Sequence, residues 1–218
     1  MDEAKKDAGY RAADLVRDGM VIGLGTGSTV LYAMESIASR MCDEDLRIAG
    51  VPTSYEAAYR AVGLGIPLTT LDEHPVLDLA IDGADQVDPG KRMIKGRGAA
   101  LLREKCVADA ADQFVVIIDE SKCVKKLHGQ VPIEVLSFAQ GSVVRQITDL
   151  GAQAAVRSGS GKDGPVVSDN GHLIMDCQFG ALASPDDLEL RLAVIPGLLE
   201  SGLFTRYTGK TRVIIGGK

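Results

Sequence analysis

The sequence predicts an α/β fold in which a doubly wound, mostly parallel sheet carries a smaller α+β unit inserted near its end. Three observations predict it. Short apolar strands alternate with helical stretches up to about residue 119, the pattern of βαβ units. After about Lys126 the order becomes β-α-β-β-α-β, the arrangement of a small split-βαβ unit. A last apolar run, "TRVIIGG" (211–217), follows that unit and is placed to rejoin the first sheet.

Each element has its own signal. Residues 3–17 read as a charged amphipathic helix, and "MVIGL" (20–24) as a short strand. Ser28 or Thr29 opens a helix to about residue 40. "LRIAGV" (46–51) is strand-like, and 53–62 read as a helix with Thr53 and Glu56 at the spacing of a capping box. "VLDLAI" (76–81) is a strand, 98–111 a helix, and "QFVVIID" (113–119) an apolar strand. In the second part, "PIEVL" (132–136) is a strand and 138–150 a helix. "QAAVRS" (153–158) and "HLIMDCQF" (172–179) are strands, the latter behind the turn residues Asp169-Asn170-Gly171. "SPDDLELRLAVI" (184–195) is a helix with Ser184 as cap and Pro185 at its first position. "LLESGLF" (198–204) reads as one last strand of the unit. The expected division is 1–127 plus 206–218 for a Rossmann-like domain and 128–205 for an inserted, ferredoxin-like domain.

Composition narrows the partners. The 218 residues are 45% hydrophobic and 25% charged, enough apolar material for a substantial core. The formal net charge of −6 argues against nucleic acid or an anionic membrane as partner. An anionic ligand must then be held by a local site. The four cysteines form no C-x-x-C pair and read as reduced thiols. The three histidines lie far apart without metal-ligand spacing, so no metal is expected. The start of the chain does not read as a signal peptide, and no apolar run has membrane-spanning length, so the cytoplasm is the expected compartment.

Four loops carry the chemistry. "GLGTGST" (23–29) joins a strand to a helix, where ligands of open α/β sheets bind. Its glycines permit close approach to the backbone, and Thr26, Ser28 and Thr29 add hydroxyls. The following helix offers N–H groups and a positive dipole end, which suits a phosphate or a polar sugar. It lacks the Gly-Lys-Ser/Thr of a Walker A loop and the third glycine of a dinucleotide fingerprint. "AIDGADQVD" (80–88) ends a strand at Asp82, and Asp85 follows across Gly83 and Ala84, positions suited to acid–base work or metal binding. Asp88 reads as a solvated turn residue. "IKGRGAALLREKCVA" (94–108) sets Lys95 before the turn Gly96-Arg97-Gly98 and Glu104 within the next helix. A shielded carboxylate there suits a base, although the run Arg103-Glu104-Lys105, read alone, is a solvated helix face. "IIDESKCVKKL" (117–127) closes a strand at Asp119, and Lys122 can hold a phosphate as a point charge, as can the nearby Lys125 and Lys126.

In this order the segments "GLGTGST", "DGADQVD", "KGRGAALLREK" and "DESK", followed by "PIEVL" and "IPGLLESGLF", resemble ribose-5-phosphate isomerase of the A type from about Lys6 to the last strand. The resemblance implies interconversion of D-ribose 5-phosphate and D-ribulose 5-phosphate in the pentose phosphate pathway, with no cofactor and no metal. It implies Glu104 as the base. It also implies a substrate site lined by Thr26, Gly27, Ser28 and Thr29, by Asp82, Gly83, Ala84 and Asp85, by Lys95, Gly96, Arg97 and Gly98, and by Lys122. A homodimer or homotetramer is the implied assembly. Arg97 departs from the commoner Lys-Gly-Gly-Gly form of the third motif. If that position needed a positive φ, arginine would carry strain of about 1 kcal/mol or more.

An aldose–ketose isomerase moves a proton from C2 to C1. It requires a carboxylate base, a positive group for the developing enediolate and groups that open the sugar ring. Glu104, Lys95 and Asp82 fill these roles in that order, with Asp85 orienting the sugar or Lys95. A deaminase or lactonase on a related sheet is expected to use a histidine, and none of the three lies in the four loops. A non-catalytic sugar-phosphate sensor is expected to lose the base and to gain a DNA-binding module.

Overall fold

A computed structural model describes residues 2–161 and 163–217. Along the chain come α1 (Asp2–Ala13), β1 (Val21–Leu24), α2 (Ser28–Asp43), β2 (Ala49–Pro52), α3 (Tyr55–Gly63) and β3 (Leu77–Asp82). Two short strands follow, β4 (Gln86–Val87) and β5 (Met93–Ile94), then α4 (Leu101–Ala110) and β6 (Ala111–Ile118). The rest comprises β7 (His128–Val135), α5 (Gln140–Asp149), β8 (Gln153–Val156), β9 (Leu173–Ala181), α6 (Pro185–Ala193), β10 (Leu198–Ser201), β11 (Leu203–Phe204) and β12 (Thr211–Ile215).

The contacts divide the chain into two compact units. The first takes in the chain up to Ala84, Arg103–Cys123 and everything from Tyr207 onward; the second takes in Asp85–Leu102 and Val124–Arg206. The stretch 85–102, with β4 and β5, therefore groups with the second unit, whereas the sequence pattern assigned it to the first.

The first unit is an all-parallel five-stranded sheet in the order β12-β6-β3-β1-β2. Its strands are short apolar runs such as Phe114–Ile118, buried along their length as a parallel sheet covered on its faces requires. β12 closes one edge beside β6, so "TRVIIGG" does rejoin the sheet. The helix expected over 3–17 stops at Ala13, and Leu15 and Val16 tighten into i→i−3 turns that bury Val16. α1 presents Ala8, Gly9, Ala12 and Ala13 as its buried face. A Cβ on Gly9 would lie 2.8 Å from both Ala33 N and Tyr32 Cβ, so this small-residue face lets α1 lie against the backbone of α2. That close approach sets the residues at the start of α1 near the start of α2.

The second unit holds an antiparallel four-stranded sheet, β10-β7-β9-β8, the order of a ferredoxin-like unit. Val131, Ile133 and Val135 pack with Val143, Ile147, Leu192 and Ile195, and the intervening Pro132 and Glu134 are buried as well. The segment read as one strand over 198–204 is two. After Ser201 the chain leaves β7, and Leu203–Phe204 pairs with β5 in a separate three-stranded sheet, β11-β5-β4. Gly202, whose N–H donates to Pro132 O at 2.7 Å, marks the change of partner.

Candidate functional site

The first unit gathers the phosphate-type loop, two carboxylates and two lysines. β1 delivers "GLGTGST" to the carboxyl end of the sheet, where Gly25 N donates to Ile81 O at 2.9 Å. A Cβ on Gly25 would lie 2.2 Å from Asp82 Oδ1, so only glycine lets the loop pass that carboxylate. Asp82 is 2% exposed at the end of β3. Its Oδ1 accepts the backbone N–H of Gly83 at 2.7 Å and of Thr26 at 3.2 Å. The hydroxyl of Thr26 is held by Thr53 Oγ1 at 2.9 Å and Ser54 Oγ at 2.7 Å. Thr26 therefore braces the loop and Asp82, and its side chain faces inward.

The capping box expected at Thr53 is displaced by this contact. Thr53 turns to Leu24 O at 3.2 Å, and Ser54 caps α3 by accepting from Ala57 N at 3.0 Å. At α2 the cap is Gly27, at φ 126°, with no side-chain bond. Ser28 and Thr29 therefore leave the first-turn N–H groups uncapped, as an anion site requires.

Lys5, a residue the sequence motifs do not single out, supplies positive charge at this point. Its Nζ donates to Ser28 Oγ at 3.3 Å. Lys6, its neighbour, instead lies over the Tyr10 ring at 5.3 Å. Only the α1 packing face distinguishes the two, and that face reads weakly in a helix built mostly of alanine and charge. Asp119, which closes β6, accepts from the backbone and hydroxyl of Ser121 and caps a single 3-10 turn, Glu120–Lys122. Its carboxyl is held below the usual range, first by the Ser121 hydroxyl and further by the charges of Lys122 and Lys5, against the opposing effect of burial. Lys122 is half-buried, whereas Lys125 and Lys126 are exposed. A pocket of about 300 Å³ also opens against Gly25–Ser28, but its Arg60 is held by Glu56 at 2.7 Å.

Glu104 lies in the first turn of α4 and is 5% exposed; Lys105 is 3% exposed. Arg103 stacks over the Tyr55 ring at 4.9 Å. This run is thus no solvated face. Glu104 and Lys105 are buried and Arg103 is half-buried, which composition alone could not show.

The second unit carries Asp85 and Lys95. Asp85 is part-exposed, and its Oδ2 accepts the backbone N–H of Arg97 at 3.0 Å. Lys95 is 3% exposed; its N–H donates to Gly202 O at 2.8 Å, and its Nζ lies over the Phe204 ring at 5.4 Å. The left-handed positions of this loop are Gly96, at φ 104°, and Ala99, at φ 65°. Arg97 is not among them, so the strain does not fall on it, and its side chain is 83% exposed. Asp88 is no solvated turn residue. It is buried, and Arg92 clasps it through N at 3.0 Å and Nε at 2.7 Å. Among the described residues, no helix is long and apolar enough to cross a membrane, and no group of three His, Cys, Asp or Glu side chains is placed to hold a metal ion.

The family described as ribose 5-phosphate isomerase A (phosphoriboisomerase A) matches residues 49–218. Ribose-5-phosphate isomerase A of Methanoregula boonei is 59% identical over 98% of this chain and 90% of its own length. That of Methanosarcina acetivorans is 52% identical over 92% and 86%. The solved structure of ribose 5-phosphate isomerase A from Methanocaldococcus jannaschii superposes with a TM-score of 0.94 at 41% identity, covering 99% of this chain and 95% of that one. A D-ribose-5-phosphate isomerase solved in complex with phospho-erythronic acid gives 0.93 at 42% identity, over 98% and 94%. With a sheet, a set of loops and a full-length likeness all in agreement, the chain belongs to the ribose 5-phosphate isomerase A family.

Proposed function

We propose that Glu104, Asp82, Lys95 and Asp85 carry out, in this chain, the interconversion of D-ribose 5-phosphate and D-ribulose 5-phosphate that defines its family. Asp82 takes up and returns hydroxyl protons, first as the furanose ring opens. Glu104 removes the C2 proton of the open aldose. Electrons pass to O1, and Lys95 stabilises the enediolate by fixed positive charge. Glu104 returns the proton to C1 while the O2 hydroxyl proton is relayed to O1, leaving the ketone at C2. Asp85 orients the sugar. The phosphate sits at the start of α2 on Ser28 and Thr29, with Lys5 and Lys122.

One observation carries the assignment of roles: Asp82 and Glu104, 2% and 5% exposed, are carboxylates of the unit that also presents an uncapped helix start beside Lys5. A phosphate held there leaves the sugar to the carboxylates. The reading favours a homodimer or homotetramer in the cytoplasm, as the family resemblance implies. The test is turnover of ribose 5-phosphate by the wild type and Glu104→Gln, with EDTA present. A fall in kcat of about 10³-fold or more, with KM little changed, is expected for loss of a proton-transfer group. Near-normal turnover by Glu104→Gln removes Glu104 as the base, and loss of wild-type activity in EDTA overturns the metal-free mechanism.

A further inference from the structure

Arg157 follows β8 and has no place in the mechanism above. Its guanidinium is nonetheless largely covered, with the side chain 17% exposed and that of its partner Asp176 13%. Asp176 lies on β9, opposite Ala155 of β8, and the backbone N–H of Arg157, just past β8, donates to Ile174 O of β9 at 2.9 Å. Nε donates to Asp176 Oδ2 at 2.8 Å, and Nη2 donates to the other carboxylate oxygen. This two-point pairing fixes the guanidinium plane. The remaining nitrogen, Nη1, donates to Gly96 O at 3.1 Å and to Arg97 O at 2.9 Å.

Those two carbonyls belong to the two residues that follow Lys95. A trans peptide holds its N–H opposite its C=O, and the chain has no cis peptide among the described residues. The Gly96–Arg97 peptide thus takes a bond from Arg157 at its oxygen and gives one to Asp85 Oδ2 at 3.0 Å through its nitrogen. The next peptide takes Arg157 at Arg97 O, which turns the Gly98 N–H away from the guanidinium. A single guanidinium therefore sets both peptide planes, orients through one of them the N–H that donates to Asp85, and anchors the loop directly behind Lys95.

We propose that Arg157, held in plane by Asp176, is a positioning residue for the isomerisation, fixing the Lys95–Gly98 loop through the carbonyls of Gly96 and Arg97. The proposal rests on the reading that Lys95 and Asp85 act on the sugar. Lysine has one compact ammonium and cannot hold Asp176 at two points while also reaching two carbonyls. Misplacement of a catalytic group by about 1 Å costs on the order of 10²-fold in rate.

The experiment compares kcat, KM and melting temperature for Arg157→Lys, Arg157→Ala, Asp176→Asn and Lys95→Met. Expected are a kcat lower by on the order of 10²-fold in Arg157→Ala, a smaller loss in Arg157→Lys and Asp176→Asn, and a KM little changed, since the phosphate is bound elsewhere. Millimolar guanidinium chloride restores part of the kcat of Arg157→Ala and none of that of Lys95→Met. If Lys95→Met loses activity while all folded Arg157 and Asp176 variants keep kcat within about twofold, the positioning role is overturned and the reading of Lys95 stands. If Lys95→Met keeps its kcat, the reading of Lys95 fails, and any effect at Arg157 is structural. Should Arg157→Ala not fold, Arg157→Lys and Asp176→Asn decide by the same split.

Discussion

Lys5 Nζ donates to Ser28 Oγ across 3.3 Å, joining the start of α1 to the start of α2. α2 begins at Gly27 without a side-chain cap, and in the proposed function its first N–H groups and the Lys5 ammonium hold the substrate phosphate. Hydrogen bonds to a charged group contribute about 1.5–3 kcal/mol. Lys5→Ala should therefore raise KM for ribose 5-phosphate by roughly 10- to 100-fold while kcat falls little. Lys6→Ala, which removes the charge over Tyr10, should leave KM near the wild-type value. Initial-rate kinetics on the two variants, with competition by inorganic phosphate, check this.

The contact between Gly25 and Asp82 sets a second expectation. A methyl group placed 2.2 Å from Asp82 Oδ1 must displace the carboxylate or the loop. Gly25→Ala should cost about 1–3 kcal/mol of stability and on the order of 10²-fold in kcat. Gly63→Ala is the contrasting case. Gly63 ends α3, is exposed, and has open space where a Cβ would stand. Alanine there should be neutral or stabilising by up to about 1 kcal/mol. Calorimetry and steady-state rates on the pair separate close approach from helix propensity.

Asp119 gives the acid side of the stability curve a defined contributor. Its carboxyl is held below the ordinary 3.8 chiefly by the Ser121 hydroxyl. A carboxylate lowered in the folded state adds stability that is present in full above its unfolded value, and loses it as pH falls through the folded value. Ser121→Ala should bring the group back toward 3.8, lower the melting temperature at neutral pH and flatten its fall on acidification. The difference between Ser121→Ala and wild type should shrink as pH falls below 3.8 and through the folded value of the wild-type carboxyl, where both carboxyls become protonated. Melting curves from pH 7 to pH 2.5 show whether it does.

Much of this was legible in the sequence because it depends on local signals. The strands of the parallel sheet are continuous apolar runs, and Asp82 ends one of them, β3. What was not legible depends on tertiary contact. "LLESGLF" reads as one strand because nothing in seven residues announces that Gly202 changes partners between β7 and β5. Thr53 and Glu56 have perfect capping-box spacing, yet Thr26 claims Thr53 from another loop, and Ser54 does the capping. Lys5 and Lys6 are identical in type and adjacent, and only the burial of Ala8, Gly9 and Ala12 decides which one meets Ser28.

The Arg97 question resolves into a prediction about its neighbour. Ala99, at φ 65°, occupies the left-handed region that costs an L-residue roughly 1–2 kcal/mol. Glycine there removes that strain but adds about 0.5–1 kcal/mol of unfolded-chain entropy, so Ala99→Gly should match or modestly exceed the wild type in stability. Arg97→Gly gains nothing to offset the same entropy and should lower the melting temperature by a few degrees, about 2–4 °C per kcal/mol at this chain length. It should nevertheless keep most of its kcat, because Asp85 accepts the backbone N–H of residue 97 at 3.0 Å, whereas the guanidinium Nε stands 3.7 Å away on an exposed side chain. Melting temperature and kcat measured on both variants test the two halves of the argument separately. A large loss of kcat in Arg97→Gly would move the contact with Asp85, or with the sugar, from the backbone to the side chain.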